Sequence, residues 1–224
     1  MIKSVVYLLA TLLLMSHAVA HSAVLKRTFN APEFTGLVSI EAASYGEAIL
    51  DYDLDASNGG VIHFTGCVQV EATKEGDVVA SQYALLKLLS VNCQALKRYF
   101  SSAAAQRSYF PARLSKRLVM AFPATALPNN ISPEAMSRRQ GKLLRTYEPS
   151  VKTSIIEGGS AEVVTTTEKI TYHVMARADF DHDGAEDLLM RVDWSVRKAF
   201  GKGADLLLLS KKSSSSAIFV AWRF

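Results

Sequence analysis

Four aspartates crowd the start of DFDHDGAEDLLMRVDW, Asp179 to Trp194. Asp179, Asp181 and Asp183 alternate, Gly184 follows, and Asp187 closes the group. Side chains spaced in this way converge on one point when the backbone curls, and without a cation they would repel one another. Calcium suits such a group. It takes six to eight oxygens at about 2.3–2.6 Å and tolerates irregular geometry. With Asp179 as position 1, the aspartates stand at 1, 3, 5 and 9. Gly184, at position 6, permits the sharp turn, and Ala185, at position 7, can add a backbone carbonyl.

An EF-hand would require a bidentate glutamate at position 12 and a helix on either side, but that position is Met190. The flanks, TYHVMARADF and DLLMRVDW, read as strands. The loop instead resembles the D-x-D-x-D-G-x-x-D-L loop of FG-GAP and VCBS-type repeats, in which a calcium loop joins two strands. The resemblance implies that Asp179, Asp181, Asp183 and Asp187 are side-chain ligands, that Ala185 gives its carbonyl, and that calcium is the cofactor. Those families repeat the loop around a propeller, whereas this chain carries one good copy, so a propeller is not expected. His182 and Glu186 are expected to face solvent. Calcium in such a loop could activate a water or bind a substrate acid, but the role expected is a structural staple of the hairpin, because an ion that binds only the folded state stabilises it by mass action. A second alternation, Asp51, Asp53 and Asp55, lacks the glycine and the later acid. Strand alternation accounts for it, with Leu50, Tyr52 and Leu54 facing the core.

Signals of catalysis are sparse. H-E-x-x-H, G-x-S-x-G and P-loop motifs are all absent. His63 and His173 lie in strands, where either is a structural histidine or a catalytic base. A paired-carboxylate hydrolase would depend on a separation that sequence does not reveal.

The elements that must hold these residues follow from periodicity and punctuation. Residues 34–72 read as β, in FTGLVSIEA, GEAILDYDLD and VIHFTGCVQVEA, with a hairpin turn at Ser57-Asn58-Gly59-Gly60. Residues 81–100 read as an amphipathic helix with Ser81 as N-cap and one face of Leu85, Leu89, Cys93, Leu96 and Phe100. The middle, 101–147, is mixed, basic and broken by Pro111, Pro123, Pro128 and Pro133. Within it, Ser132-Pro133-Glu134 marks a helix start. From about Glu148 the chain returns to β, through AEVVTTTEKITYHVMARADF, EDLLMRVDW, ADLLLLSKK and AIFVAWRF. Ile218, Val220, Trp222 and Phe224 alternate like the closing strand of an outer-membrane barrel, but the helix and the proline-rich middle leave too little chain for one. The fold class expected is α+β: a mostly antiparallel sheet, a packed amphipathic helix and a C-terminal hairpin region carrying the calcium loop.

The N-terminus reads as an export signal. Lys3, the apolar run Val5 to Met15 and Ala18-Val19-Ala20 match a secretory leader, and the run is shorter than the roughly 18–20 residues a membrane span needs. Residues 1–20 are therefore expected to be a signal peptide and 21–224 a single α+β domain, periplasmic or secreted, with no transmembrane segment after cleavage. In an oxidising compartment the two cysteines, Cys67 and Cys93, are expected to form a disulfide between strand and helix. A net charge of +4, one unit of it from Lys3, is too mild to imply nucleic acid. A middle cluster of Lys97, Arg98, Arg107, Arg113, Lys116, Arg117, Arg138, Arg139, Lys142 and Arg145 reads either as solvated helix faces or as a surface for an envelope protein or an anionic surface. The expected function is a calcium-binding, non-enzymatic interaction protein of the bacterial envelope. A periplasmic or secreted hydrolase is the alternative.

Overall fold

The computed structural model describes residues 24–40 and 44–224; the expected leader lies outside them. The N-terminal elements are β1 (Thr28–Phe29), β2 (Leu37–Ser39), β3 (Ile49–Leu50), β4 (Tyr52–Asp55), β5 (Val61–Phe64), α1 (Cys67–Ala72) and α2 (Tyr83–Ser101). Three short helices follow, α3 (Lys116–Met120), α4 (Pro133–Ser137) and α5 (Leu144–Tyr147). The C-terminal strands are β6 (Lys152–Ile155), β7 (Ala161–Val164), β8 (Glu168–Ala178), β9 (Asp187–Val196), β10 (Lys202–Ser210) and β11 (Phe219–Arg223).

One antiparallel sheet dominates, in the order β11-β10-β9-β8-β7-β6, with β1 paired to the end of β8. Both its faces are buried. Leu189, Ala204, Leu206 and Leu208 pack with α1, α2 and the small hairpins β2–β3 and β4–β5. Leu188, Met190, Val192, Leu207 and Leu209 pack under the proline-punctuated middle segment, against Phe110, Val119, Phe122 and Leu144. This two-sided cover explains why LLMRV in β9 is buried without a break. In β8, Met175 is an extra residue opposite β9, between the pairs Val174–Met190 and Ala176–Leu189. The bulge switches parity, so Ile170 and Tyr172 serve the second core while Met175 and Ala176 serve the first. The terminal strand β11 is an edge of this open sheet. Arg223 pairs with Asp205 on β10 at 2.6 Å and ties the strand to the middle segment through the carbonyls of Thr125 (2.6 Å) and Leu127 (3.0 Å).

Local signals performed unevenly. The Ser57–Gly60 turn is present, with Gly59 at φ +88° and Asn58 Oδ1 accepting the Gly60 N–H at 3.1 Å. Ser132 caps α4 by accepting the Ala135 N–H at 3.3 Å. Ser81 does not cap α2. A 3₁₀ turn, Ala80–Gln82, precedes that helix, and Gln82 at the cap position turns its amide to Asp55 instead, at 2.6 and 2.8 Å. The buried face of α2 is also broader than one stripe. Leu86, Leu89, Val91, Asn92, Cys93, Ala95 and Leu96 are buried, because the helix sits between the sheet and α1, while Leu85 and Phe100 are half-buried. The stretch from Ala161 to Phe180 is two strands, turned at Thr165–Thr167. There the Thr165 hydroxyl accepts the Glu168 N–H at 2.9 Å and the Thr167 N–H at 3.2 Å.

The disulfide Cys67–Cys93 is present, but not between strand and helix. β5 ends at Phe64, and Cys67 opens α1, so the bond joins two helices. Both cysteines are buried. It closes a loop of 26 residues, which the chain-entropy relation values at about 3.5 kcal/mol. Cys93→Ala is therefore expected to lower unfolding free energy by about that amount in chemical denaturation, and reductant should have no further effect on the variant.

Candidate metal centre

The loop between β8 and β9 is shaped by its own aspartates and by the segment after α2. Asp179 and Ala103 exchange backbone hydrogen bonds at 3.0 and 2.9 Å. Further along, the Gly184 carbonyl accepts the N–H groups of Gln106 (2.9 Å) and Arg107 (3.3 Å), and the Glu186 N–H donates to the Arg107 carbonyl at 2.8 Å. Within the loop, the buried Asp179 carboxylate accepts the N–H groups of Asp183 (3.1 Å) and Gly184 (2.8 Å). Asp187 Oδ2 accepts the Phe180 N–H at 3.1 Å. The curl needs left-handed backbone at two places, His182 (φ +60°) and Gly184 (φ +82°). An added Cβ at Gly184 would meet nothing closer than 3.6 Å, so the glycine is required for its backbone angle and not for space.

Three predicted ligands come together. Asp179, Asp181 and Asp187 each bring one carboxylate oxygen within 4.8 Å of the others. Oxygens on opposite sides of a calcium ion lie roughly 4.6–5.2 Å apart, so this spacing fits one ion. No other group of three acids, histidines or cysteines among the described residues has this compactness, which leaves Asp51, Asp53 and Asp55 as an outward strand face. Asp183 is turned aside. Its Oδ1 accepts the Ala185 N–H at 2.8 Å and its Oδ2 meets the Lys212 ammonium at 2.6 Å. Lys212 lies equally close to Asp181 Oδ2, at 2.6 Å, and so spans two of the four carboxylates. Ala185 is buried and bridged to Arg107.

Charge is poorly neutralised deeper in. Burial, with the neighbouring charges of Asp181 and Asp183, pushes the Asp187 carboxyl up to about 6 against the hydrogen bonds that favour its ionised form. Beside it on β10 lies the buried Ser210 hydroxyl, whose approach to Asp187 is one of those that favour the ionised carboxylate. Burial also works to raise Asp183, but Lys212 and the Ala185 N–H outweigh it and hold that carboxyl below the usual range. Paired with Asp181 and then Asp183, the Lys212 ammonium is held above its ordinary value. A hard-oxygen donor set with one deep, poorly neutralised carboxylate fits a divalent cation.

Two neighbours deserve comment. His182 is exposed, as expected from its place in the motif, but Glu186 is buried. Its carboxylate accepts from Arg177 Nη1 at 2.8 Å and from the Ser108 hydroxyl at 2.9 Å, which ties the loop to the middle segment. The positive run of the middle segment is also partly consumed. Arg98 stacks on Trp222, Arg107 donates to the Asp183 carbonyl, Lys97 pairs with Glu71, and Arg139 is buried against the Pro128 carbonyl.

A second polar cluster was only half visible in sequence. His173 on β8 has Glu33 Oε2 at 2.7 Å from Nδ1 and Asp193 Oδ2 at 3.1 Å from Nε2. The Ser160 hydroxyl lies 3.0 Å from His173 Nδ1 and donates to Glu33 Oε1 at 3.1 Å. Arg191 pairs with Asp193 at 2.9 Å and donates to Asn92 Oδ1 at 2.9 Å and to the Glu33 carbonyl. Serine, histidine and aspartate thus lie within bonding reach, but the arrangement is not that of an activated nucleophile. Ser160 is buried, its proton is committed to Glu33, and both imidazole nitrogens face carboxylates. Chemically it is a charge network that clamps residue 33 and α2 to the sheet. His63, the other strand histidine, lies on the surface, 2.6 Å from Asp53. No helix among the described residues is long and apolar enough to cross a membrane.

Compared with protein-family models, curated proteins and solved structures, the chain matches none.

Proposed function

We propose that the chain is an exported calcium-binding protein, a non-enzymatic interaction protein of the bacterial envelope in which the ion staples the β8–β9 hairpin. The observation that carries the metal reading is the meeting of Asp179, Asp181 and Asp187 within 4.8 Å, at the site where the strand–loop–strand motif was expected. Calcium would be held by these carboxylates, with Asp183 and the Ala185 carbonyl completing the set by likeness to the FG-GAP loop. A structural role is supported by position. The loop joins the two central strands of the sheet, and its backbone is bonded to the segment leaving α2. The buried disulfide agrees with export to an oxidising compartment. The hydrolase alternative rests on the contact of His173 with two carboxylates, and the burial of Ser160 speaks against it.

Thermal unfolding tests the reading. Calcium is expected to raise the melting temperature in a saturable way, and EDTA should reverse the rise. Asp181→Ala and Asp183→Ala should each remove the response. A wild-type melting temperature unmoved by calcium would refute the metal site.

A further inference from the structure

We propose that a cavity between α3 and the β10–β11 connection binds the anion of a single-chain fatty acid. The cavity measures about 370 Å³. Its walls include Leu118, Ala121, Leu143 and Ile218, and most of its surface is apolar. Two cations line it as well, Arg117 from α3 and Lys211 from the β10–β11 connection, and no aspartate or glutamate does. Neither cation has a side-chain partner among the described residues. Of the neighbouring cations, Lys212 is bound to two carboxylates and Arg177 to Glu186, so neither is available to the cavity. Two unanswered positive charges beside one apolar hollow call for a ligand with an anionic head and a hydrocarbon body. Long basic side chains suit this task, because their stems lie along apolar surface while their heads meet the anion. Size narrows the choice. The volume is near the lower end of the roughly 300–1,000 Å³ usual for small-molecule sites, which suits one alkyl chain and not the two of a diacyl lipid. An uncharged hydrocarbon would leave both cations unanswered. This site is separate from the aspartate loop, so a chain indifferent to calcium can still bind here.

Isothermal titration calorimetry of the purified protein with sodium decanoate, below its micelle concentration, tests the proposal. Decanoate should bind saturably, one per chain. Decanol should bind more weakly by about tenfold, the effect of two exposed charge contacts, and Arg117→Gln/Lys211→Gln should erase that difference. Ala217→Trp, which places an indole at an exposed lining position, should abolish binding with the melting temperature unchanged. Absence of saturable binding would overturn the assignment. So would equal binding of decanoate and decanol, or binding that survives Ala217→Trp. Preferential sedimentation with phosphatidylglycerol vesicles, without decanoate binding, would identify a lipid surface as the partner and overturn it too.

Discussion

Replacing Arg191 by methionine is expected to destabilise the protein by about 3–5 kcal/mol, the usual cost of removing one partner from a buried charge network. Arg191 lies on β9 beneath α2, and its guanidinium reaches Asp193, Asn92 and the backbone of Glu33. Methionine has similar bulk, so the loss would come from charge and hydrogen bonding and not from a cavity. Two acids, Glu33 and Asp193, would remain with His173 alone between them. Asn92 would lose the donor to its Oδ1, in a site where its Nδ2 already lacks a partner. Burial works to raise the Asp193 carboxyl, but His173 and Arg191 together outweigh it and hold it below the ordinary range. Its folded-state pKa is thus depressed, so its stabilising contribution is present above the unfolded value and is lost as pH falls through the folded one. Arg191→Met should remove only part of that acid sensitivity, because His173, which also holds the carboxyl down, remains. Urea denaturation of the wild type and of Arg191→Met, with Arg191→Met/Asp193→Asn to measure the coupling, gives the answer. A loss under about 1 kcal/mol for the single variant would show that the network contributes little beyond packing.

The fold and the site differ in how far they could be read from the chain alone, and the difference is one of sequence distance. Every carboxylate of the candidate metal site lies between Asp179 and Asp187, so spacing alone announced the cluster. The Ser57–Gly60 turn and the Ser132 cap are likewise decided by residues two or three apart. Cys67 was misplaced although a local signal existed. Strand alternation through Cys67 would bury Gln69 and Glu71 with it, whereas the i, i+3 spacing of Cys67 and Val70 leaves both polar residues exposed, and those are the buried pair observed. Lys212 and Glu186 were beyond such reasoning. Lys212 reaches the loop from the β10–β11 connection, and Glu186 is buried because Arg177, across the hairpin, and Ser108, from the middle segment, both reach it. The Glu33–His173–Arg191–Asp193 network draws on an N-terminal turn, α2, the turn before β7, and two strands. Its visible traces were His173 in a strand and a charged residue inside LLMRV, a run otherwise apolar throughout. Topology, not pattern, makes that residue a partner for Glu33.

Calcium in thousandfold excess over its dissociation constant is expected to stabilise the wild type by about 4 kcal/mol, and Asp187→Asn should eliminate that gain while stabilising the metal-free protein. The two effects share one cause. Asp187 is deep, and its carboxyl is pushed up to about 6 by burial together with the charges of Asp181 and Asp183. An unfolded aspartate titrates near 3.9, so between roughly pH 4 and 6 the folded protein binds more protons than the unfolded one. Stability in EDTA contributed by this residue is therefore present at low pH and is lost as pH rises through that window, by up to about 3 kcal/mol. Asparagine keeps an acceptor for the Phe180 N–H but carries no charge, so Asp187→Asn should escape the loss. At pH 7 in EDTA the variant should be the more stable protein by about 3 kcal/mol, and at pH 4 the two should be nearly equal. Calcium should invert the order at pH 7, because only the wild type offers the fourth carboxylate. Melting curves at both pH values, with EDTA and with calcium, separate these outcomes. A variant less stable than the wild type in EDTA at pH 7 would mean that Asp187 is a hydrogen-bonding residue whose charge the fold already accommodates without a metal.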